Sequence, residues 1–180
     1  MDLVRFLAIL LLLPAFAFPD VRNCSCELAN AESMAKRECS LCREAEKQTP
    51  DAAVFFLKDI NPRKPNRWLA LPRPHTHGFP EMSPEQRTAF WTAAIAKARE
   101  LFGDNWGLAV NADTSRTQCH AHAHMGKLAE AVESANFVAV DSPAEIPVSR
   151  DGSGFWIHGV EDGKLHVHMG EEVTETVLIR

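Results

Sequence analysis

The chain carries no excess of basic charge. Its 180 residues hold 19 Lys and Arg against 24 Asp and Glu, a formal net charge of −5. Nucleic-acid binders need a basic face to replace phosphate counterions, so no nucleic-acid partner is expected. A small phosphate pocket remains allowed, because it needs only a few local donors. A long hydrophobic run is also missing. The nearly continuous apolar stretch Phe6 to Phe18 has 13 residues, with Pro14 inside it, too short to span a bilayer comfortably. It follows Arg5 and contains Ala15-Phe16-Ala17, a small-x-small pattern. Residues 1–17 therefore read as an export signal, which places the mature chain in the periplasm or outside the cell. An uncleaved anchor or a buried N-terminal helix is the alternative. Internal repeats, low-complexity tracts and an interdomain linker are absent too. Hydrophobic residues make up 46% of the chain, enough for one folded core and against disorder.

Five cysteines are present: Cys24, Cys26, Cys39 and Cys42 close together, and Cys119 far from them. Outside the cytosol, clustered cysteines usually pair as disulfides. A Cys-x-x-Cys such as Cys39–Cys42 also suits zinc. Both readings are open. Cys119 reads as a small buried hydrophobe.

Local patterns predict an α+β fold. Ala29–Arg43 reads as a weak helix. Ala52–Lys58 and Arg67–Pro72 read as strands, separated by a loop with Pro62 and Pro65. Ser83, Pro84 and Gln86 mark a helix start with a capping box. Trp91, Ala94, Ile95, Ala98 and Phe102 give it one buried face, and Gly103 ends it. Trp106–Asn111 and Gln118–Met125 read as strands, Lys127–Ala135 as a short helix, and Phe137–Val140 as a strand. Phe155–Val160 and Lys164–Met169 flank Asp162-Gly163, a hairpin turn signal. Thr174–Ile179 is a candidate further strand. The expected product is an antiparallel sheet with one long and one short helix, plus a C-terminal β-hairpin. The expected divisions are the export signal 1–17, a cysteine-rich segment 18–50, a core 51–140 and a β-rich extension 141–180.

The most informative segment is Gln118-Cys-His120-Ala-His122-Ala-His124-Met. In a strand, side chains two apart share a face, so three imidazoles would line up. Buried imidazole nitrogens must be satisfied, which makes a reaction or a metal the expected reason for them. Histidine is a good nucleophile toward phosphorus when its second ring nitrogen is held by an acceptor. Arg116, Thr117, Gln118 and Asn111 supply donors suited to phosphate oxygens. Together they favour phosphoryl chemistry.

His120-Ala-His122-Ala-His124-Met-Gly resembles the signature of the histidine-triad superfamily of nucleotide hydrolases and transferases. The stretch from Phe56 through Asp59, Pro62, Pro65, Trp68 and Pro72 to His75 is similar to that family's first strand pair. Met82-Ser-Pro-Glu-Gln is similar to the start of its long helix. The resemblance covers about residues 39–128. Asn111 and the Arg116-Thr117-Gln118-x-His120 spacing resemble the bacterial CDP-diacylglycerol diphosphatase branch. Cys39-Ser-Leu-Cys42 and His75 resemble the general branch instead, and Arg67 stands where a histidine is common in the superfamily.

The resemblance implies a triad-type fold and a nucleotide phosphoanhydride hydrolase. In it His122 is the nucleophile, with His124 and Gln118 also catalytic. Thr117, Arg116 and Asn111 contact the substrate, and Asp59 and Ile60 lie near the nucleoside. It also implies a structural zinc on Cys39, Cys42, His75 and His120. The leading substrate it implies is a nucleotide-linked lipid such as CDP-diacylglycerol, with a soluble dinucleoside polyphosphate or nucleoside phosphoramidate as the runner-up. A peripheral membrane contact and a homodimer fit these partners. Plainer readings stand beside these. His77 is a loop histidine, and Trp68 and Trp106 are core. Arg63, Lys64 and Arg67 form a solvated loop or attract phosphate and anionic headgroups. His158, His166 and His168 are exposed strand histidines. The rival from another class is an exported metal-binding protein using the triad with those tail histidines.

Overall fold

The structure, a computed structural model, describes residues 39–180. The expected export signal, Cys24, Cys26 and most of the expected Ala29–Arg43 helix lie outside those residues. The chain is α+β. Helix α1 spans Ser40–Glu46, and the long helix α2 spans Pro84–Phe102. The strands are β1 Val54–Lys58, β2 Trp68–Pro72, β3 Trp106–Val110, β4 Ala123–Lys127, β5 Val138–Val140, β6 Gly154–Gly159 and β7 Leu165–Glu171. They form one sheet in the order β1-β2-β4-β3-β6-β7-β5, and every pairing is antiparallel. Because β6 pairs with β3, residues on either side of position 140 share one sheet.

Helix α2 forms where its punctuation predicts. The Ser83 side chain accepts from Gln86 N, and the Gln86 side chain returns a bond to Ser83 N. Such a cap stabilises a helix start by about 1 kcal/mol. Gly103 ends the helix at φ +65°, a conformation that costs glycine nothing. Phe90, Trp91, Ala94, Ile95 and Ala98 are buried against one face of the sheet. That face presents Ala70, Trp106, Leu108, Ala123, Met125, Phe155, Ile157 and Val167, the alternate residues of each strand.

The opposite face is covered in pieces. At the β1–β2 end, Phe55, Leu69 and Leu71 pack with Cys39, Leu41, Cys42 and Ala45 of the α1 region. In the middle, Ala109 and Trp156 pack with Leu178 from the chain's end. Gly107 makes that docking feasible. A Cβ there would stand 2.7 Å from side-chain carbons of both Leu128 and Leu178.

Three local expectations fail, each because long-range bonds outcompete local pattern. Residues 127–135 form no helix. Lys127 ends β4, Leu128 N donates to Asn105 O, and Ala129 N donates to Val177 O. Leu128 bridges to Leu178. Thr174–Ile179 is not a strand but a 3-10 turn over Thr174–Val177 followed by that single bridge. Gln118–His122 lies outside β4, which begins only at Ala123. There Ala121 N donates to Thr76 O and His120 N donates to Cys39 Sγ. The alternation therefore breaks before His122, and Cys119 packs toward the α1 cluster. Cys119 is also disulfide-bonded, so it is not the simple buried hydrophobe the sequence suggests. Cys39 and Cys42 are thiols and are not its partners.

Candidate active site and metal centres

Three of the four expected zinc ligands converge closely, with the fourth beside them. Cys42 Sγ lies 3.4 Å from His75 Nδ1, and His75 Nδ1 lies 3.2 Å from His120 Nδ1. These are near the edges of a tetrahedron around zinc, about 3.4 Å for nitrogen ligands at 2.0–2.1 Å. Cys42, His75 and His120 form a group that could hold a metal ion. Cys39 adjoins them, buried, accepting from His120 N at 3.4 Å. The side-chain hydrogen bond with Cys42 brings the Cys39 thiol down to about 6, toward the thiolate a metal requires. His120 Nε2 lies 2.6 Å from Pro72 O. A carbonyl only accepts, so Nε2 carries the proton and Nδ1 offers its lone pair to the cluster, a common outer-shell arrangement for metal-binding histidine.

His122 repeats this logic. Its Nδ1 donates to His120 O at 2.9 Å, which leaves Nε2 unprotonated. Burial pushes the imidazole down to about 4, so it is neutral at ordinary pH. His124 stands next to it, with ring centroids 5.1 Å apart. Burial holds His124 well below its usual value. The two rings form a neutral pair on the sheet face opposite α2.

The residues expected to bind substrate are otherwise engaged. Gln118 Oε1 accepts from Ser40 Oγ and Leu41 N, so this amide is held at the start of α1. Asn111 Oδ1 accepts from Glu175 N and Thr174 Oγ1. Arg116 is buried and donates to His77 O and Asp113 Oδ1. Asn111 and Arg116 do line a cavity of about 380 Å³, with His77, Phe79, Arg150 and Phe155, but the triad does not line it. Thr117 is exposed, and Ile60 is 95% exposed. Asp59 Oδ1 accepts from Asn61 N and shapes the β1–β2 loop.

Sequence reasoning missed the clasp that closes the site. Arg67 is buried, not solvated. Its Nε donates to Ile179 O at 3.1 Å, its Nη2 makes a short bond to Leu178 O, and its Nη1 meets Glu175 Oε2 at 3.2 Å. Lys64 Nζ reaches both Glu175 oxygens, at 2.6 and 2.7 Å. Glu175 Oε2 also lies 3.3 Å from His124 Nδ1, out of line for a hydrogen bond. A carboxylate brought from the chain's end thus sits beside the triad between two cations. No local pattern announces it, since Glu175 is one of many acidic residues. The tail histidines are also misread by sequence: His158 and His168 are buried. With Glu133 and His166 they form a second group that could hold a metal ion. This group is three strand spacings from His124, through Ala109 and Trp156 to His168, on the order of 14 Å. One ion therefore cannot take ligands from both sets.

No protein-family model matches this chain, and no curated protein matches it. The architecture and the two sites are what the chain offers for a functional reading.

The clasp generates a stability prediction. Arg67→Met leaves the carbonyls of Leu178 and Ile179 without their buried donor and takes from Glu175 one of its two cations, Lys64 remaining. Removing one partner of a buried ion pair costs on the order of 3 kcal/mol. Urea unfolding is expected to show that loss, and an unchanged midpoint counts against the clasp as a stabilising element.

Proposed function

We propose that this protein is a hydrolase of nucleotide phosphoanhydrides that works through His122, in the manner of the histidine-triad superfamily its sequence resembles. The observation that carries the reading is the proton on His122. Because Nδ1 donates to the His120 carbonyl, the Nε2 lone pair is available for attack. Positive charge that develops on the ring during attack strengthens that same hydrogen bond. Nε2 forms a bond to the α-phosphorus, and the phosphorus–oxygen bond to the leaving phosphate breaks with its electron pair. Water then attacks phosphorus, the phosphorus–nitrogen bond breaks, and a nucleoside monophosphate leaves. His124, adjacent and neutral, is placed to meet a phosphate oxygen.

Cys39, Cys42, His75 and His120 suit a structural zinc. Two thiols and two imidazoles make a closed donor set, and this set joins α1 to the triad backbone. His120 would link metal and nucleophile mechanically, since its carbonyl orients His122.

Two substrate branches divide at the residues around the triad. The lipid-linked reading, CDP-diacylglycerol at a membrane surface, draws on Asn111, Arg116, Thr117, Gln118 and the basic β1–β2 loop. Four of its supports are already engaged: Gln118 with Ser40, Asn111 with the chain's end, and Lys64 and Arg67 with Glu175. The general branch is the one that leads to a Cys-x-x-Cys with His75, and those groups are together. We therefore favour a soluble nucleotide: a dinucleoside polyphosphate, or a nucleoside phosphoramidate, in which the bond that breaks is phosphorus–nitrogen and the leaving group is an amine. The rival function, metal binding without chemistry, does not account for His122, which belongs to neither of the two groups that could hold a metal ion. Export remains part of the proposal, on the strength of residues 1–17.

Three outcomes are expected. His122→Ala loses at least about 10³-fold in kcat/KM, and mass spectrometry of the quenched wild-type reaction shows a nucleotidyl adduct; wild-type turnover in the variant would sink the mechanism. Zinc is found bound by the purified protein, and Cys42→Ala loses one equivalent; an unaltered zinc content in that variant removes the proposed cluster. In a direct comparison, soluble nucleotides show at least a tenfold higher specificity constant than CDP-diacylglycerol in detergent micelles. The opposite order restores the lipid reading and leaves the His122 chemistry intact.

A further inference from the structure

The imidazoles on β6 and β7 pose a problem of charge that the triad does not solve. His158 and His166 are direct partners across the β6–β7 ladder, and His168 lies opposite Trp156. All three project to the sheet face away from α2, where Glu133 reaches them from the loop after β4. Glu133 Oε2 lies 2.6 Å from His158 Nε2. Glu133 Oε1 lies 3.0 Å from His166 Nδ1 and 3.6 Å from His168 Nε2. The four ligand atoms all fall within 4.8 Å of one another.

The hydrogen-bond pattern leaves this carboxylate inadequate by itself. His158 Nδ1 donates to Gly159 O at 3.1 Å, so in the neutral ring Nε2 holds a lone pair. That lone pair faces a carboxylate oxygen that also holds lone pairs. Both His158 Nε2 and His168 Nε2 are buried with no hydrogen-bond partner. Orphaned buried acceptors aimed at one point are costly unless a cation occupies it. Three protons would place three positive charges on rings 5.4 to 6.5 Å apart against one carboxylate. One divalent ion satisfies all four groups at once.

The surroundings hold these rings ready. The Trp156 indole stacks on His168 with centroids 3.7 Å apart and planes 3° apart, and it flanks His158 at 5.2 Å. Trp156 is itself fixed by its Nε1 bond to Glu171. Phe137 stacks on His166 at 3.7 Å, and Ser134 Oγ contacts His168 Nδ1 at 3.2 Å. Two residues before Glu133, Ala131 takes φ +56°, a left-handed conformation that a non-glycine residue adopts only when its surroundings require it. Stacked ligands and a constrained loop are what a preorganised metal site needs.

We propose that Glu133, His158, His166 and His168 form a second metal site, specific for a divalent transition ion. Three imidazole nitrogens and one carboxylate oxygen, with no thiolate, suit zinc, nickel, copper or iron rather than calcium or magnesium. His166 binds through Nδ1 once its proton has moved to Nε2. Glu133 is half-exposed, so the ion enters from that side. The site ties the loop after β4 to the β6–β7 pair, and it is separate from the triad.

Cobalt(II) titration of the metal-free full chain tests this, because cobalt reports its own ligands. Wild type is expected to take up one equivalent whose spectrum has no thiolate-to-metal charge-transfer band, besides any equivalent bound by Cys39 and Cys42 that shows one. Glu133→Gln and His166→Gln each weaken the thiolate-free equivalent by at least about tenfold. Both carry partly exposed side chains, so folding is expected to persist, and an unaltered melting curve checks it. Competition with zinc should displace the cobalt. Identical stoichiometry and affinity in the wild type and both variants overturns the site, as does uptake of thiolate-bound cobalt alone. Loss of the thiolate band with the other equivalent intact would count against the cysteine cluster and leave this site standing.

Discussion

A sheet of seven strands has two faces to cover, and among the described residues there is one long helix. Helix α2 takes the aliphatic and aromatic face. The other face carries the triad, the cysteine group and the tail histidines, and it is closed in sections by short segments. The α1 region covers the β1–β2 end, and the Leu178 segment covers the middle. The tail histidines with Glu133 cover the β6–β7 end. Such a cover has gaps, and histidines occupy them. The clasp of Arg67 on the chain's last carbonyls holds the central section down, and Glu175 comes with it to His124.

The second constraint is that a neutral imidazole has one N–H. Wherever a backbone carbonyl takes that proton, the opposite nitrogen becomes a lone pair with a fixed direction. Pro72 O sets His120 toward the cysteines, His120 O leaves His122 with its lone pair on Nε2, and Gly159 O sets His158 toward Glu133. The same bond therefore leaves one directed lone pair on each of the three rings. What differs is what surrounds the ring: thiols and another imidazole at His120, the neighbouring His124 at His122, and a carboxylate with two further rings at His158. A neutral ring is needed in all three, and burial supplies it for His120 and His122 by disfavouring the charged form.

Much of the framework was legible in the residue order. The capping box at Ser83 and the stop at Gly103 marked α2 to its ends. Short apolar runs marked β1, β2, β3 and β6 to within a residue or two, and Gly163 takes φ +85° in the Asp162-Gly163 turn. The zinc-type donors were also readable, because the Cys-x-x-Cys and the histidines resemble a known pattern and structure brings them together. Local pattern failed at residues 118–122, 127–135 and 174–179. In each, backbone groups bond to partners far along the chain, and helical or strand propensity is too weak a preference to resist that.

Sequence by itself determined which chemistries were available: imidazoles, thiols, and an α+β scaffold with one strongly marked helix. Those follow from side-chain type and short-range periodicity, which need no partner to be read. Only the tertiary structure decided where each polar group spends its hydrogen bonds. Arg67 and Lys64 became a clasp instead of a solvated loop, and Gln118 and Asn111 became struts. The tail histidines went inside, because Glu133, Trp156 and Phe137 converge on them from distant positions. A hydrogen bond or a stacking contact depends on distances between groups tens of residues apart, and those distances exist only once the sheet has closed.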